Sequence, residues 1–156
     1  MQDTGMPVNL ITYNACITAL SKASRQHARQ SQSSSHEEES LWRKALELLK
    51  QMKEDGTEPD GFSYSAAISC CGAEGRWKEA LELMEQMRKG GPKTRPNKIS
   101  YTAAITACGR AGKADEAVAL FRTMKDEGLS PDRIAYNALF SALRVVGDAE
   151  MVCGCR

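Results

Sequence analysis

The side chains here best suited to covalent or metal chemistry are six cysteines and two histidines, and their spacing equips neither set for it. The cysteines are Cys16, Cys70, Cys71, Cys108, Cys153 and Cys155; no C-x-x-C pair occurs and no Cys/His spacing fits a zinc site. Cys16, Cys70, Cys71 and Cys108 fall in small, apolar stretches with helical periodicity. They read as reduced thiols packed as small hydrophobes. Cys153 and Cys155 form a tail pair, two ligands without a third. His27 and His36 stand in a polar segment with no catalytic partner. There are no paired acids at metal-binding spacing, no H-x-E followed by C-x-x-C, and no phosphate-cradling loop. The expectation is a protein that is not an enzyme, with no catalytic residue, no metal, no cofactor and no small-molecule substrate.

What recurs instead is a set of short polar side chains behind tyrosines. LITYNACITALSKAS (10–24), GFSYSAAISCCGAEG (61–75), KISYTAAITACGRAG (98–112) and RIAYNALFSALRVVG (133–147) align on Tyr13, Tyr64, Tyr101 and Tyr136. A second block follows each of the first three, over 41–60, 76–97 and 113–132. The unit is 35 residues where Tyr101 steps to Tyr136, with two extra residues near 90–95 and a larger insertion in the first unit. A fixed period of this size marks a repeat architecture.

Both blocks must be helices to hold those side chains in line. Tyr13, Ile17, Leu20 recur at helical spacing, as do Tyr64, Ile68, Cys71 and Tyr101, Ile105, Cys108. Ala45, Leu48, Leu49, Met52 repeat as Ala80, Leu83, Met84, Met87 and as Ala117, Leu120, Phe121, Met124. One apolar stripe per helix must be buried on a neighbour, and alanines such as Ala67, Ala104 and Ala107 allow close approach. Gly75, Gly112 and Gly147 stop first helices; Pro59, Pro96 and Pro131 follow second helices; Asp60, Asn97 and Asp132 then cap the next first helix. Residues 25–40, RQHARQSQSSSHEEES, lack periodicity and read as a flexible loop inserted in the first unit.

The fold expected is all-α, stacked helix-turn-helix hairpins in a solenoid. The organisation is 1–9 as the end of a preceding unit or a tail, 10–60 as repeat 1 with its insertion at 25–40, 61–97 as repeat 2, 98–132 as repeat 3 and 133–156 as a partial repeat 4. The net charge of +1 excludes a general polyanion binder. No apolar run reaches membrane-spanning length, and the start, MQDTGMPVNL, has neither a signal-peptide core nor an Arg-rich transit segment.

Units that open (V/I)-(T/S)-Y-(N/S/T) and close EM-x(3)-G-x(2)-P-(D/N) resemble the pentatricopeptide repeat. Four openings and three closings agree in order and spacing across nearly the whole chain. The tetratricopeptide pattern fails, because Trp42 and Trp77 start second helices rather than marking first ones. The resemblance implies a right-handed solenoid whose first helices line a concave face that binds single-stranded RNA, one base per repeat. By that resemblance Asn14, Ser65, Thr102 and Asn137 are base readers, paired with the closing residues Asp60, Asn97 and Asp132, while Asn9 closes a unit whose body is absent. Ile11, Phe62, Ile99 and Ile134 take the positions that pack on base planes, and Lys22 and Arg110 those that meet phosphate; Ala73 and Val145 leave the other two phosphate positions empty. Each reader reads equally well as a helix cap, and each isoleucine as core.

The family's code reads Asn14 with Asp60 as uracil, Ser65 with Asn97 as adenine, Thr102 with Asp132 as guanine and Asn137 as a pyrimidine. The implied RNA core is U-A-G-pyrimidine. Stacking supplies roughly 1–3 kcal/mol per base, against roughly 4–15 kcal/mol of lost rigid-body freedom. Three complete units therefore bind weakly, and the chain is expected to be part of a longer array or a truncated gene model. The resemblance further implies organelle RNA metabolism, in chloroplast or mitochondrion. The competing expectation is a helical-repeat scaffold for protein partners.

Overall fold

Where the stripes are strongest, the helices begin and end on residues that satisfy their free backbone groups. The computed structural model of the chain describes residues 10–29 and 40–146. Asp60 accepts the amide of Ser63 at 2.9 Å and Asn97 that of Ser100 at 2.9 Å, each completed by a serine hydroxyl reaching back to the cap amide. Asp132 accepts the amide of Ala135 at 2.9 Å. Gly112 closes its helix at φ 73°, where a Cβ is strained.

Seven α-helices follow among the described residues: α1 (Leu10–Arg29), α2 (Leu41–Glu54), α3 (Gly61–Ala73), α4 (Trp77–Lys89), α5 (Lys98–Ala111), α6 (Ala114–Asp126) and α7 (Arg133–Val146). Each of α1, α3 and α5 pairs with the helix after it as a hairpin. The odd-numbered helices also pack on one another in a continuous row, whereas α2, α4 and α6 each lean on the following odd-numbered helix. The first helices are thus closely spaced and the second helices splayed. The splay leaves a gap of about 300 Å³ between α2 and α4, lined by Leu46, Leu49, Leu83 and charged stems. No described helix is long and apolar enough to cross a membrane.

One hydrophobic core runs through all units. Ile17, Ile68 and Ile105 are fully buried, as are Met52, Met87 and Met124 opposite them. Tyr13 donates a hydrogen bond to Asp55 at the end of its own hairpin, and Tyr101 lies 3.0 Å from the Arg88 guanidinium, itself 3.8 Å from Glu127. In α7 the equivalent Tyr136 and Phe140 are 42% and 49% exposed, since no second helix packs on them among the described residues. The two extra residues near 90–95 make a 3-10 turn at Pro92–Thr94, pinned where buried Thr94 donates to the Met87 carbonyl at 2.8 Å.

One boundary differs from the sequence reading. Residues 25–29 are helical, so α1 runs for 20 residues where α3 has 13 and α5 has 14. The glycine that ends α3 and α5, Gly75 and Gly112, is replaced at the matching position by Ser24. Without a residue that favours the left-handed cap, the Ala- and Arg-rich segment simply continues its helix. Ser24 is buried and donates to Glu74 at 3.3 Å; the same carboxylate accepts the amide of Trp42 and so caps α2, whose own Ser40 makes no side-chain cap. The rest of the inserted segment, Asn9, and the Cys153–Cys155 pair lie outside the described residues.

Candidate nucleic-acid interface

The row of first helices presents one groove. It encloses about 540 Å³ and is lined from α1 by Thr18, Ser21 and Arg25, and from α3 by residues running from Phe62 and Ser65 to Ala73. α5 contributes Lys98, Ile99, Thr102 and Arg110 among others, and Asp132 and Ile134 close the far side. Such close-set helices require small residues at the crossings. A Cβ at Gly72 would sit 2.6 Å from the Ala103 carbonyl oxygen, and one at Gly109 would sit 2.9 Å from that of Ala138. Both glycines stand eight residues past their tyrosine, where α1 has buried Ser21. Alignment of the repeats carried that signal, but it shows its meaning only once the backbones meet.

The four positions two before each tyrosine are all exposed: Ile11 75%, Phe62 54%, Ile99 56% and Ile134 62%. They are not core. A chain rarely leaves the same large apolar position exposed in every unit without a use for it, and here three of the four form apolar ledges of the groove.

Two of the three proposed reading pairs meet. The Asn14 side-chain amide lies 3.5 Å from Asp60 Oδ1, and its oxygen accepts from Ser63. The Ser65 hydroxyl lies 3.1 Å from Asn97 Oδ1. Thr102 and Asp132 both line the groove, but Thr102 donates to the Lys98 carbonyl at 2.8 Å and no hydrogen bond joins the two among the described residues. Asn137 is exposed on α7, on the helix that offers Ile134. Capping and pairing coincide at two positions: Asp60 and Asn97 each cap a helix while meeting the proposed reader of the unit before, whereas Asp132 caps α7 and lines the groove.

The cations fall differently from the sequence reading. Arg110 lines the groove, but exposed Lys22 is outside the lining, and Arg25 and Lys98 are in it. Arg25 escaped notice because its segment reads as loop; Lys98 because it directly follows a capping residue. No ion pair engages these three cations among the described residues, and one acid, Asp132, joins them in the lining.

Burial pushes the Cys70 and Cys108 thiols up to about 12 and raises Cys71 as well, so they stay protonated and unreactive. Cys16 is exposed and free. Among the described residues no group of three His, Cys, Asp or Glu side chains is placed to hold a metal ion.

Comparison with known proteins agrees with this geometry. The PPR repeat family model matches residues 96–144, and the PPR repeat model matches 34–57 and 62–92, together well over half of the chain. The chain belongs to the pentatricopeptide repeat (PPR) family. No curated protein matches this PPR chain. Among solved structures it is similar to the PPR domain of Arabidopsis thaliana protein-only RNase P 1 in complex with tRNA, at 20% identity and a TM-score of 0.72 over 98% of this chain and 72% of that one. It is also similar to the pentatricopeptide repeat protein PPR10 in complex with an 18-nt psaJ RNA element, at 29% identity and a TM-score of 0.67 over 92% of this chain. PPR10 from maize, at 29% identity, gives a TM-score of 0.61 over 86% of this chain. The chain spans only about a fifth of the PPR10 bound to the psaJ element, 19% of its length.

Proposed function

We propose that this PPR chain is a sequence-selective binding module for single-stranded RNA. Asn14 with Asp60, Ser65 with Asn97 and Thr102 with Asp132 read successive bases, Asn137 reads a fourth, Ile11, Phe62, Ile99 and Ile134 pack on base planes, and Arg110 meets phosphate. The observation that carries this reading is the pairing itself. Residues 46 and 32 apart in sequence bring their polar ends together, beside a ladder of exposed apolar side chains. Flat apolar ledges suit nucleobase faces, and the polar pairs can donate to or accept from base edges. PPR10, 29% identical, has its structure in complex with RNA, which supports the same use of the groove.

The target core is U-A-G-pyrimidine. The role is in organelle RNA metabolism, as processing, stabilisation or translation in chloroplast or mitochondrion, a reading that rests on family membership. Filter binding of a U-A-G-pyrimidine RNA against a permuted one tests the selectivity, ideally with concatenated copies to raise affinity. Preferential retention of the first is expected; equal retention contradicts it and favours a helical-repeat scaffold for protein partners. Crosslinking in cells followed by sequencing of bound RNA tests the organelle role, which recovery of cytosolic transcripts alone would overturn.

A further inference from the structure

The cationic edge of the groove is built by the feature that sets the first unit apart, the long α1. At their tyrosine ends the first helices carry the apolar ledges and readers, such as Phe62 with Ser65 and Ile99 with Thr102. At the other end the lining is Arg110 from α5, Ala73 from α3, and Ser21 and Arg25 from α1. There α3 ends at Ala73 and α5 at Ala111, so each presents a helix C-terminus with its partial negative charge. α1 does not end there. It continues to Arg29, its carbonyls beside the groove are satisfied within the helix, and it sets Arg25 in the lining at the end where its neighbours stop. Lys22 is one turn earlier, about 4.5 Å along the axis and about 60° around it, and lies outside the lining. Glu74, the nearby acid, is committed to Ser24 and the Trp42 amide rather than to Arg25.

The geometry points to Arg25, carried by the extra turns of α1, as a phosphate-contacting residue of the RNA groove, in place of Lys22. The phosphodiester backbone then follows the C-terminal edge of the first helices, between Arg25 and Arg110, while the bases lie toward the readers. This rests on the RNA reading above. Guanidinium suits the task, because its fork of donors matches the oxygens of a phosphate.

The test is an NMR titration of the 156-residue chain with a short single-stranded RNA carrying U-A-G-pyrimidine, repeated across salt concentrations. Parent, Arg25→Gln, Arg25→Lys and Lys22→Gln are compared. Arg25→Gln is expected to bind several-fold more weakly at low salt, with the slope of log K against log salt shallower by about 0.7, the share of one single-strand phosphate. Arg25→Lys, which keeps the charge, should hold the parental slope, as should Lys22→Gln. A parental slope in Arg25→Gln overturns the assignment, and so does an equal loss in Lys22→Gln. If the parent itself shows no RNA-dependent shifts at any salt, the RNA reading falls and Arg25 with it, an outcome distinct from failure of the variant alone.

Discussion

Asn97 Oδ1 receives the backbone amide of Ser100 at 2.9 Å and lies 3.1 Å from the hydroxyl oxygen of Ser65, whose proton goes to the Gly61 carbonyl at 2.6 Å, so one atom caps α5 and stands at the second reading pair. The Ser100 amide can only donate, which fixes this atom as the oxygen and leaves Nδ2 as the donor Asn97 has to offer. Asn97→Asp keeps the oxygen and loses the donor. Its stability should stay within about 0.5 kcal/mol of the parent, while the preference for adenine at the second base disappears. Asn97→Ala should lose both that preference and about 1 kcal/mol of cap energy. Urea melts and competition binding with second-base variants of the RNA check this; Asn97→Asp with its adenine preference intact refutes the pairing.

The third pair is open where the first is closed. Thr102 turns its hydroxyl back to the Lys98 carbonyl at 2.8 Å, whereas Asn14 reaches Asp60 at 3.5 Å. Thr102→Asn gives the third unit the side chains of the first, and the groove at that position has room for the longer residue. The third-base preference should move from guanine toward uracil with the fold retained. Competition binding reads the shift and circular dichroism the fold; an unmoved guanine preference in a folded variant counts against the register.

The tyrosine register made most of this architecture readable. Stripes such as Tyr101, Ile105, Cys108 and caps such as Asp60 act within a few residues of themselves, so the sequence carries them directly. Arg25 was hidden because a polar segment without an apolar stripe looks the same as loop or as exposed helix. The absent glycine at Ser24 was the available clue. Thr94 shows a second kind of silence: its hydroxyl is buried on the Met87 carbonyl, a bond across a turn that no helical spacing announces. The four exposed positions from Ile11 to Ile134 were ambiguous between core and surface, because periodicity says which residues share a face but not what covers it.

The close approach of the first helices depends on two missing methyl groups. In an open helix Gly→Ala stabilises by about 0.5–1 kcal/mol. At Gly72 the new Cβ would meet the Ala103 carbonyl oxygen at 2.6 Å, and at Gly109 that of Ala138 at 2.9 Å, both backbone atoms that cannot step aside alone. The sign therefore reverses, and each substitution should cost about 1–3 kcal/mol, Gly72→Ala the more. Urea denaturation measures it; a stabilised Gly72→Ala would show that α3 and α5 are further apart than described.

The buried thiols give the fold a ceiling in pH. Cys70 and Cys108 are raised from 9.0 to about 12 by burial, so folded chains hold these protons after unfolded chains release them. The unfolded state then binds fewer protons, and stability falls as pH rises. Their contribution is complete below 9.0, the ordinary thiol value, and is lost progressively toward about 12. In urea melts above 9.0 the parent should lose stability more steeply than Cys108→Ala, which lacks one of these groups. Iodoacetamide with peptide mapping supplies a second reading: Cys16, exposed, should label in the native chain, and Cys70, Cys71 and Cys108 only after unfolding. Native Cys108 labelling as fast as Cys16 would place that thiol at the surface and remove the cause of the pH dependence.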